Sequence, residues 1–305
     1  MAVGDGYQPH SAEYFGESRD YWWRADFVAF LLERWGLRGS RRVLDVGCGV
    51  GHWGRVLMRH LPDEAMLSGV DREPQWVAEA GKRAIAAGLD GRAAFVVGTA
   101  ERLPFPDSSF DLVTCQTVLI HLRDPRAALR EMVRVLRPGG ALLVVEPNNL
   151  AGVMVASTAT CDDPIETRLA LVRFQLTCER GKVALGLGDN SVGDLVPGMF
   201  AELGLRDIAV SLNERACPMI PPYSTRDQQA YIEQLEDWAS RDFWCWSRPE
   251  ARSYFLAGGG SEEEFDRHWA IGLAAAAREL EAIRSGTYTT AGGFIGYITV
   301  GRKPG

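Results

Sequence analysis

One segment constrains the fold of this chain more than any other, the run Asp45-Val46-Gly47-Cys48-Gly49-Val50-Gly51. It follows a short apolar stretch typical of a strand and precedes a segment with a helical pattern. Glycines at such a junction let the backbone turn tightly and approach a ligand without a Cβ atom in the way. The run therefore predicts a strand, a ligand-binding loop and a helix in succession.

The glycines alone do not identify the ligand. Counted from Gly49, the residues Gly49, Gly51 and Gly54 match the G-x-G-x-x-G spacing of dinucleotide-binding sites. Asp45, however, places a carboxylate at the end of the strand. A carboxylate there suits a ligand ammonium group, or the ordering of the glycine loop, better than a pyrophosphate.

The segments around this loop predict an open, mostly parallel α/β sheet, because short β-branched runs alternate with longer helical patterns between residues 41 and 145. Two more runs after residue 200 have the character of strands. The predicted strands are 42–46, 66–70, 94–97, 110–115, 141–145, 206–212 and 293–300.

Several helix boundaries are also predicted. An amphipathic, aromatic-rich segment over 18–35 is expected to be a helix that covers the sheet or the ligand entrance. Further helices are expected to begin at capping signals, and a glycine-rich link is expected over 181–193. The helix starts are Asp124-Pro125, Asp163-Pro164-Ile165-Glu166, Ser224 and the capping box Ser261-Glu262-Glu263-Glu264.

Composition narrows the classes of partner. The chain has 33 Lys and Arg against 40 Asp and Glu, a net charge of -7, so nucleic acid and anionic membranes are not expected partners. Its six cysteines never form C-x-x-C pairs, and no metal-ligand spacing is present. The first ten residues lack a secretory signal pattern, so a cytoplasmic protein with free thiols is expected.

Two more motifs lie where predicted strands end. Gly69-Val70-Asp71-Arg72 places a carboxylate that can accept both hydroxyls of a ribose, a geometry shared by nucleotide and nucleoside cofactors. The segment 98–105 follows the third strand, and a loop there would close over a flat base. Together with the glycine loop, these motifs predict a ligand that contains a nucleoside.

In this order, the motifs resemble those of class I S-adenosylmethionine-dependent methyltransferases, in the small-molecule group that includes ubiquinone and menaquinone biosynthesis enzymes. The resemblance covers 43–147 and includes Leu136-Arg137-Pro138-Gly139-Gly140. It implies a Rossmann-like seven-stranded sheet, mostly parallel with the last strand antiparallel, flanked by helices. It also implies S-adenosyl-L-methionine as cofactor and S-adenosyl-L-homocysteine as product.

The resemblance also implies roles for single residues. Glycines 47, 49 and 51 would line the methionyl part, Asp71 would hold the ribose, and the adenine would lie near Arg72, Ala100 and Glu101. Thr99 stands where members of this group often have Asp. Arg19 or Arg24 is a candidate to bind the cofactor's carboxylate, although an exposed position in solvent explains either arginine equally well. The residues predicted to bind the cofactor are Arg19, Asp45, Gly47, Gly49, Gly51, Asp71, Arg72, Thr99, Ala100, Glu101 and Gln116, the last near the sulfonium.

The acceptor side of the site is less constrained. His121 follows the fourth strand and is a candidate general base, although a packing role explains a histidine there equally simply. The aromatic residues of the late segment would form either an acceptor pocket for a flat, apolar molecule or a core. These residues are Trp238, Phe243, Trp244, Trp246, Tyr254, Phe255 and Trp269.

The resulting prediction is a methyltransferase acting on a small organic acceptor. Its cofactor-binding core is expected to comprise 1–150, 191–214 and 291–305, with helical insertions over 151–190 and 215–290 forming a lid. Two alternatives stay open at this point. One is an NAD(P)-dependent oxidoreductase, and the other is a regulatory module that binds S-adenosylmethionine without catalysis.

Overall fold

A computed structural model describes residue 19 and residues 21–214, 216–241 and 243–305. Within these residues, seven strands form one sheet and two very short strands form a separate hairpin. The first ten residues, in which no secretory signal is expected, lie outside the described part. The strands are β1 Arg42–Val46, β2 Met66–Asp71, β3 Ala93–Val97, β4 Phe110–Gln116, β5 Leu136–Pro147, β6 Arg206–Leu212, β7 Phe243–Trp244, β8 Trp246–Ser247 and β9 Gly296–Arg302.

The order of strands in the large sheet is β3-β2-β1-β4-β5-β9-β6. Strands β1 to β5 pair with one another in parallel, whereas β9 is antiparallel to both β5 and β6. The predicted fold class, a mostly parallel seven-stranded sheet with its last strand antiparallel, is confirmed. The chain runs from β1 to β2 and β3 on one side of β1 and then crosses to β4 on its other side. Ligands of open α/β sheets bind where the strand order reverses in this way.

Ten helices accompany the strands in the described residues. Several begin at the predicted capping signals, because the Asp124 carboxylate accepts a hydrogen bond from the Ala127 N–H and Ser261 forms a capping box with Glu264. The helices are α1 Ala25–Arg34, α2 His52–Met58, α3 Pro74–Ala86, α4 Pro125–Val135, α5 Asn149–Gly152, α6 Ile165–Ala184, α7 Val196–Glu202, α8 Arg226–Ser240, α9 Arg248–Ala257 and α10 Glu262–Arg284.

Apolar side chains cover both faces of the sheet. On one face, α1, α2 and α3 contribute buried residues such as Leu32, Leu57 and Ala84. On the other face, α4 and α7 contribute residues such as Met132 and Phe200. Because both faces are buried, the central strands are apolar along nearly their whole length, which is why they were recognisable as continuous runs.

The late aromatic residues form a core of their own. Phe174 of α6 lies 5.0 Å from Trp244 and 5.4 Å from Phe255 between ring centroids, and Trp246 is 1% exposed. Helix α6 approaches α9 closely, because a Cβ atom on Gly181 would lie 1.7 Å from the Tyr254 carbonyl oxygen. The two alternatives for these aromatics therefore resolve mainly in favour of a core.

Several helices and turns differ from the predictions. The leading helix starts at Ala25 rather than at residue 18, so Arg19 precedes it. Helix α6 continues to Ala184 through the start of the predicted glycine-rich link, since Gly181 provides the close helix contact just described. The helix α9 and the β7-β8 hairpin were not predicted, because their capping and pairing signals lie inside an aromatic run.

Candidate active site

The strand ends predicted to bind a ligand meet at one edge of the sheet, around a cavity of about 410 Å³. The cavity lies outside the carboxyl ends of β1, β2, β3 and β4, where the strand order reverses. Nine of the eleven residues predicted to bind cofactor line it, as does His121; these nine are Arg19, Gly47, Gly49, Asp71, Arg72, Thr99, Ala100, Glu101 and Gln116. Its volume suits a single small organic ligand.

The glycine loop owes its shape to left-handed backbone conformations. Gly47 has φ +64°, and a Cβ atom on it would lie 2.5 Å from a methyl carbon of Val118. Gly51 has φ +73° and donates its N–H to the Cys48 carbonyl at 2.8 Å, which closes the turn. Gly51 is not among the residues that line the cavity. A Cβ atom on Gly51 would instead lie 3.2 Å from the Cβ atom of Ala80.

Asp71 connects the glycine loop to the next strand. One carboxylate oxygen accepts a hydrogen bond from the Gly49 N–H at 2.8 Å, and the other accepts from the Glu73 N–H at 3.0 Å. A carboxylate offers about four acceptor positions, so about two remain for ligand hydroxyls. Asp71 can therefore hold the loop and a ribose at the same time.

Asp45 lies behind the loop and is not part of the described cavity wall. Its carboxylate is 1% exposed and accepts a hydrogen bond from the Gly54 N–H in the first turn of α2 at 2.9 Å. Burial raises the pKa of Asp45 to about 7, although the Gly54 hydrogen bond and the charge of Arg19 oppose the rise. Of the two roles considered for Asp45, the ordering of the loop is the one this geometry fits.

Gln116, at the end of β4, is a buried amide that points to a ligand. The residue is 3% exposed and lines the cavity, yet neither amide atom has a hydrogen-bond partner within the described part of the chain. A buried amide without partners is costly, so a ligand that supplies them gains affinity there. Next to it, Thr117 accepts a hydrogen bond from Arg19 at 3.3 Å, which holds that guanidinium at the cavity.

The loop after β3 forms the opposite wall. Gly98 donates its N–H to the Asp71 carbonyl at 3.0 Å, and Thr99 forms an isolated antiparallel β-bridge with Arg102. Thr99, Ala100 and Glu101 thereby line the cavity together with Trp76 of α3. Trp76 was not predicted from the sequence, although a large aromatic in the first turn of a helix beside a ligand loop is a usable signal.

A short 3-10 turn, Leu119–His121, brings His121 to the cavity. The turn rests on Glu146 of β5, whose carboxylate oxygen accepts hydrogen bonds from the N–H groups of Val118 and Leu119, both at 2.8 Å. Glu146 is fully buried, and burial raises its pKa to about 7 against the opposing effect of these hydrogen bonds. One buried carboxylate thus positions the candidate general base.

Lys182 of α6 holds the same turn from the lid side. It is 3% exposed, lines the cavity and donates hydrogen bonds to the Ile120 carbonyl at 3.1 Å and to Asn190 at 2.9 Å. Burial lowers its pKa to about 8, while Glu179 and Glu146 act in the opposite direction. Sequence reasoning missed Lys182 and Glu146, because their partners are distant in sequence.

Comparisons with known proteins agree with this geometry. The Methyltransferase domain family matches residues 44–144. Over 109 residues the chain is 39% identical to the uncharacterized methyltransferase YcgJ of Bacillus subtilis, a match that covers 36% of this chain and 42% of that protein. The chain is also 36% identical over 117 residues to the ubiquinone/menaquinone biosynthesis C-methyltransferase UbiE of Pseudomonas paraeruginosa. That match covers 38% of this chain and 46% of UbiE.

By sequence, residues 44–144 of this chain form a methyltransferase domain. The crystal structure of the Bacillus subtilis YcgJ protein shares its fold, with a TM-score of 0.50 and 21% identity over 92% of this chain and 100% of that one. The chain spans less than half the length of the curated relatives it matches. The matched part of the methyltransferase domain contains the glycine loop, Asp71 and the turn that carries His121.

Outside the cavity wall, other candidate features take ordinary roles. Arg24 forms surface ion pairs with Asp26 and Glu214. Among the described residues, the six cysteines form no disulfide bond and no group of side chains could hold a metal ion. None of the described helices combines the length and apolar character needed to span a bilayer.

Proposed function

We propose that this protein transfers a methyl group from S-adenosylmethionine to a small organic acceptor by in-line displacement. S-adenosylmethionine, when bound, supplies a methyl group already activated by the positive charge on sulfur. Asp71 would bind the ribose hydroxyls, and residues 99–101 with Arg72 would flank the adenine. Gln116 and Arg19 would hold the methionyl part, since a buried amide and a guanidinium suit an ammonium and a carboxylate respectively.

The observation that carries this proposal is the position of Asp45. A dinucleotide site binds pyrophosphate on free N–H groups at the start of a helix. Here the Asp45 carboxylate already accepts the Gly54 N–H in the first turn of α2, and Gly51 donates its own N–H to Cys48. An anion placed there would also meet the negative charge of Asp45 when that group is ionised, so the geometry argues against an NAD(P) oxidoreductase.

Binding calorimetry tests the choice of cofactor. We expect S-adenosylhomocysteine to bind the full chain and NADH and NADPH to show no saturable binding under the same conditions. Binding of a nicotinamide cofactor without S-adenosylhomocysteine would reverse the assignment. A radiolabelled methyl assay against a panel of small acceptors then separates the enzyme from a regulatory module, because only the enzyme transfers label.

The protein residues act mainly by positioning. Proximity and alignment of two reactants supply about 7 to 11 kcal/mol, so displacement at a sulfonium methyl needs little further chemistry from the protein. Segments 151–190 and 215–290 would form the lid that excludes water, with Lys182, Leu187 and Tyr254 as its described contacts with the cavity. The acceptor would enter between this lid and the end of β4.

We propose His121 as the general base for an acceptor whose nucleophile carries a proton. Its place in the turn held by Glu146 and Lys182 keeps the imidazole at the cavity wall. Replacing His121 by alanine should lower kcat about a hundredfold with S-adenosylhomocysteine affinity changed less than about threefold, because a positioned base contributes about 10²-fold or more. Single-turnover kinetics measure this, and a loss below tenfold removes His121 as base.

A further inference from the structure

A second cavity of about 340 Å³ lies at the same edge of the sheet as the first. Part of its wall, from Gly152 to Thr160, follows β5, and another part, Gly292 to Phe294, precedes β9. Because β9 is antiparallel to β5, with Pro147 paired to Gly296, both segments emerge at the edge where β1 and β4 end in the first cavity. The two cavities therefore occupy neighbouring positions above one row of strand ends.

A carboxylate held by two phenols dominates the polar chemistry of the second cavity. One oxygen of Glu279 on α10 accepts hydrogen bonds from the hydroxyl groups of Tyr231 at 3.0 Å and Tyr288 at 2.5 Å. Burial and, after it, the negative charge of Glu279 raise the pKa of both phenols, so they stay protonated and donate. The other Glu279 oxygen takes part in no hydrogen bond within the described residues and can face a ligand.

Aromatic rings supply the rest of the recognition surface. Trp22 and Phe294 line the cavity with their centroids 5.1 Å apart, and Tyr231 and Tyr288 add two more rings. None of the described residues that line it is Lys, Arg or His. A carboxylate among aromatic faces attracts organic cations by ion pairing and by cation–π contact, and it disfavours anions.

The wall between the two cavities is thin. The Arg19 guanidinium carbon lies 4.8 Å from the Trp22 ring centroid, and Arg19 lines the first cavity whereas Trp22 lines the second. A molecule anchored at Glu279 can thus extend past this pair toward the place assigned to the methyl group.

We propose that the second cavity is the acceptor side of the site and that it selects an acceptor carrying a protonated amine or a quaternary ammonium group. The proposal rests on the methyltransferase function proposed above. The cationic group is the anchor, held by Glu279 and the aromatic rings, and a separate nucleophilic atom of the same molecule receives the methyl group.

A pair of isosteric probes tests the anchor. Choline and its uncharged analogue 3,3-dimethylbutan-1-ol have the same shape, so any difference in affinity reports the charge. With the full chain and saturating S-adenosylhomocysteine, we expect calorimetry to show choline binding at least about tenfold more tightly than the analogue. Glu279→Gln keeps an acceptor for both phenols but removes its charge, and it should reduce this preference to less than about threefold, since Asp227 is then the carboxylate left among the described residues of the wall.

Matched variants make the test specific. Glu281→Gln changes the same charge on the exposed side of α10 and should keep the preference. Trp22→Leu should weaken choline binding severalfold while the charge of Glu279 stays in place. This variant tests the cavity if Glu279→Gln does not fold. Equal affinity for the two probes in a wild-type protein that binds S-adenosylhomocysteine overturns this inference alone, whereas failure to bind S-adenosylhomocysteine overturns the proposed function.

Discussion

Replacement of Asp71 by asparagine should weaken the binding of S-adenosylhomocysteine about a hundredfold or more. The carboxylate accepts the N–H groups of Gly49 and Glu73, and we assign its remaining acceptor positions to the ribose. Hydrogen bonds to a charged group contribute about 1.5 to 3 kcal/mol each, and about 1.4 kcal/mol corresponds to a tenfold change in affinity. Losing the charge weakens both ribose contacts and loosens the glycine loop.

Isothermal titration calorimetry measures this effect directly. Asp90→Asn is the matched control, because Asp90 is an exposed aspartate in the loop before β3 and its replacement should change the affinity less than about twofold. The melting temperature of Asp71→Asn without ligand checks that the variant is folded. An affinity within about threefold of wild type would contradict the ribose assignment, whatever the cofactor is.

The sheet was predictable because its signals are local. Strands 42–46 and 206–212 were placed at their observed bounds, and the others differ mainly at their ends. Strand β5 is the largest difference, since it starts at Leu136 and includes a proline and two glycines, whereas its predicted start is residue 141. Register shifts in its pairing with β4 accommodate that irregular start.

Most residues of the first cavity's wall were also predictable, since tight turns require glycine and a carboxylate at a strand end lies at the edge of the sheet where ligands bind. The position of Asp45 could not be read in the same way. Its type and spacing fitted a ligand contact and a contact with the loop equally well, and only the Gly54 hydrogen bond separates them. Local patterns name the residues of a loop but not the direction of each side chain.

Contacts between distant segments escaped prediction for a different reason. Lys182 lies at the start of the predicted glycine-rich link, and nothing in its neighbourhood indicates that it is buried against the Ile120 carbonyl, 62 residues away. The hydrogen bonds from Tyr231 and Tyr288 to Glu279 escaped prediction for the same reason, because they depend on how distant segments such as α8 and α10 pack. The late aromatics also depend on packing, and most of them form a core with Phe174.

Removing the carboxylate of Glu146 should destabilise the fold by about 4 kcal/mol. In Glu146→Met the side chain keeps nearly its length, but three N–H groups lose their acceptor, those of Val118 and Leu119 at 2.8 Å and that of Ile120 at 3.4 Å. An unsatisfied buried donor costs about 1 to 3 kcal/mol, so the two short hydrogen bonds account for about 4 kcal/mol and the long one adds little. The turn that carries His121 should loosen as well, so methyl transfer should fall with stability.

Glu146→Gln is the control that separates hydrogen bonding from charge. Its amide oxygen can accept the N–H groups of Val118 and Leu119, and only the long Ile120 contact loses its acceptor, so urea unfolding at pH 6 should show a loss below about 1.5 kcal/mol. A loss as large as that of Glu146→Met would contradict the role of these N–H groups. The same pair of proteins tests the protonation of Glu146.

Since burial raises the folded-state pKa of Glu146 to about 7, the folded protein holds a proton that the unfolded chain has already lost. Wild-type stability should therefore fall as pH rises through this range, by about 1.4 kcal/mol between pH 6 and 8 relative to Glu146→Gln. Asp45, whose pKa is also about 7, contributes equally to both proteins and cancels in the comparison. A difference that is independent of pH would show that Glu146 is ionised throughout and paired with Lys182.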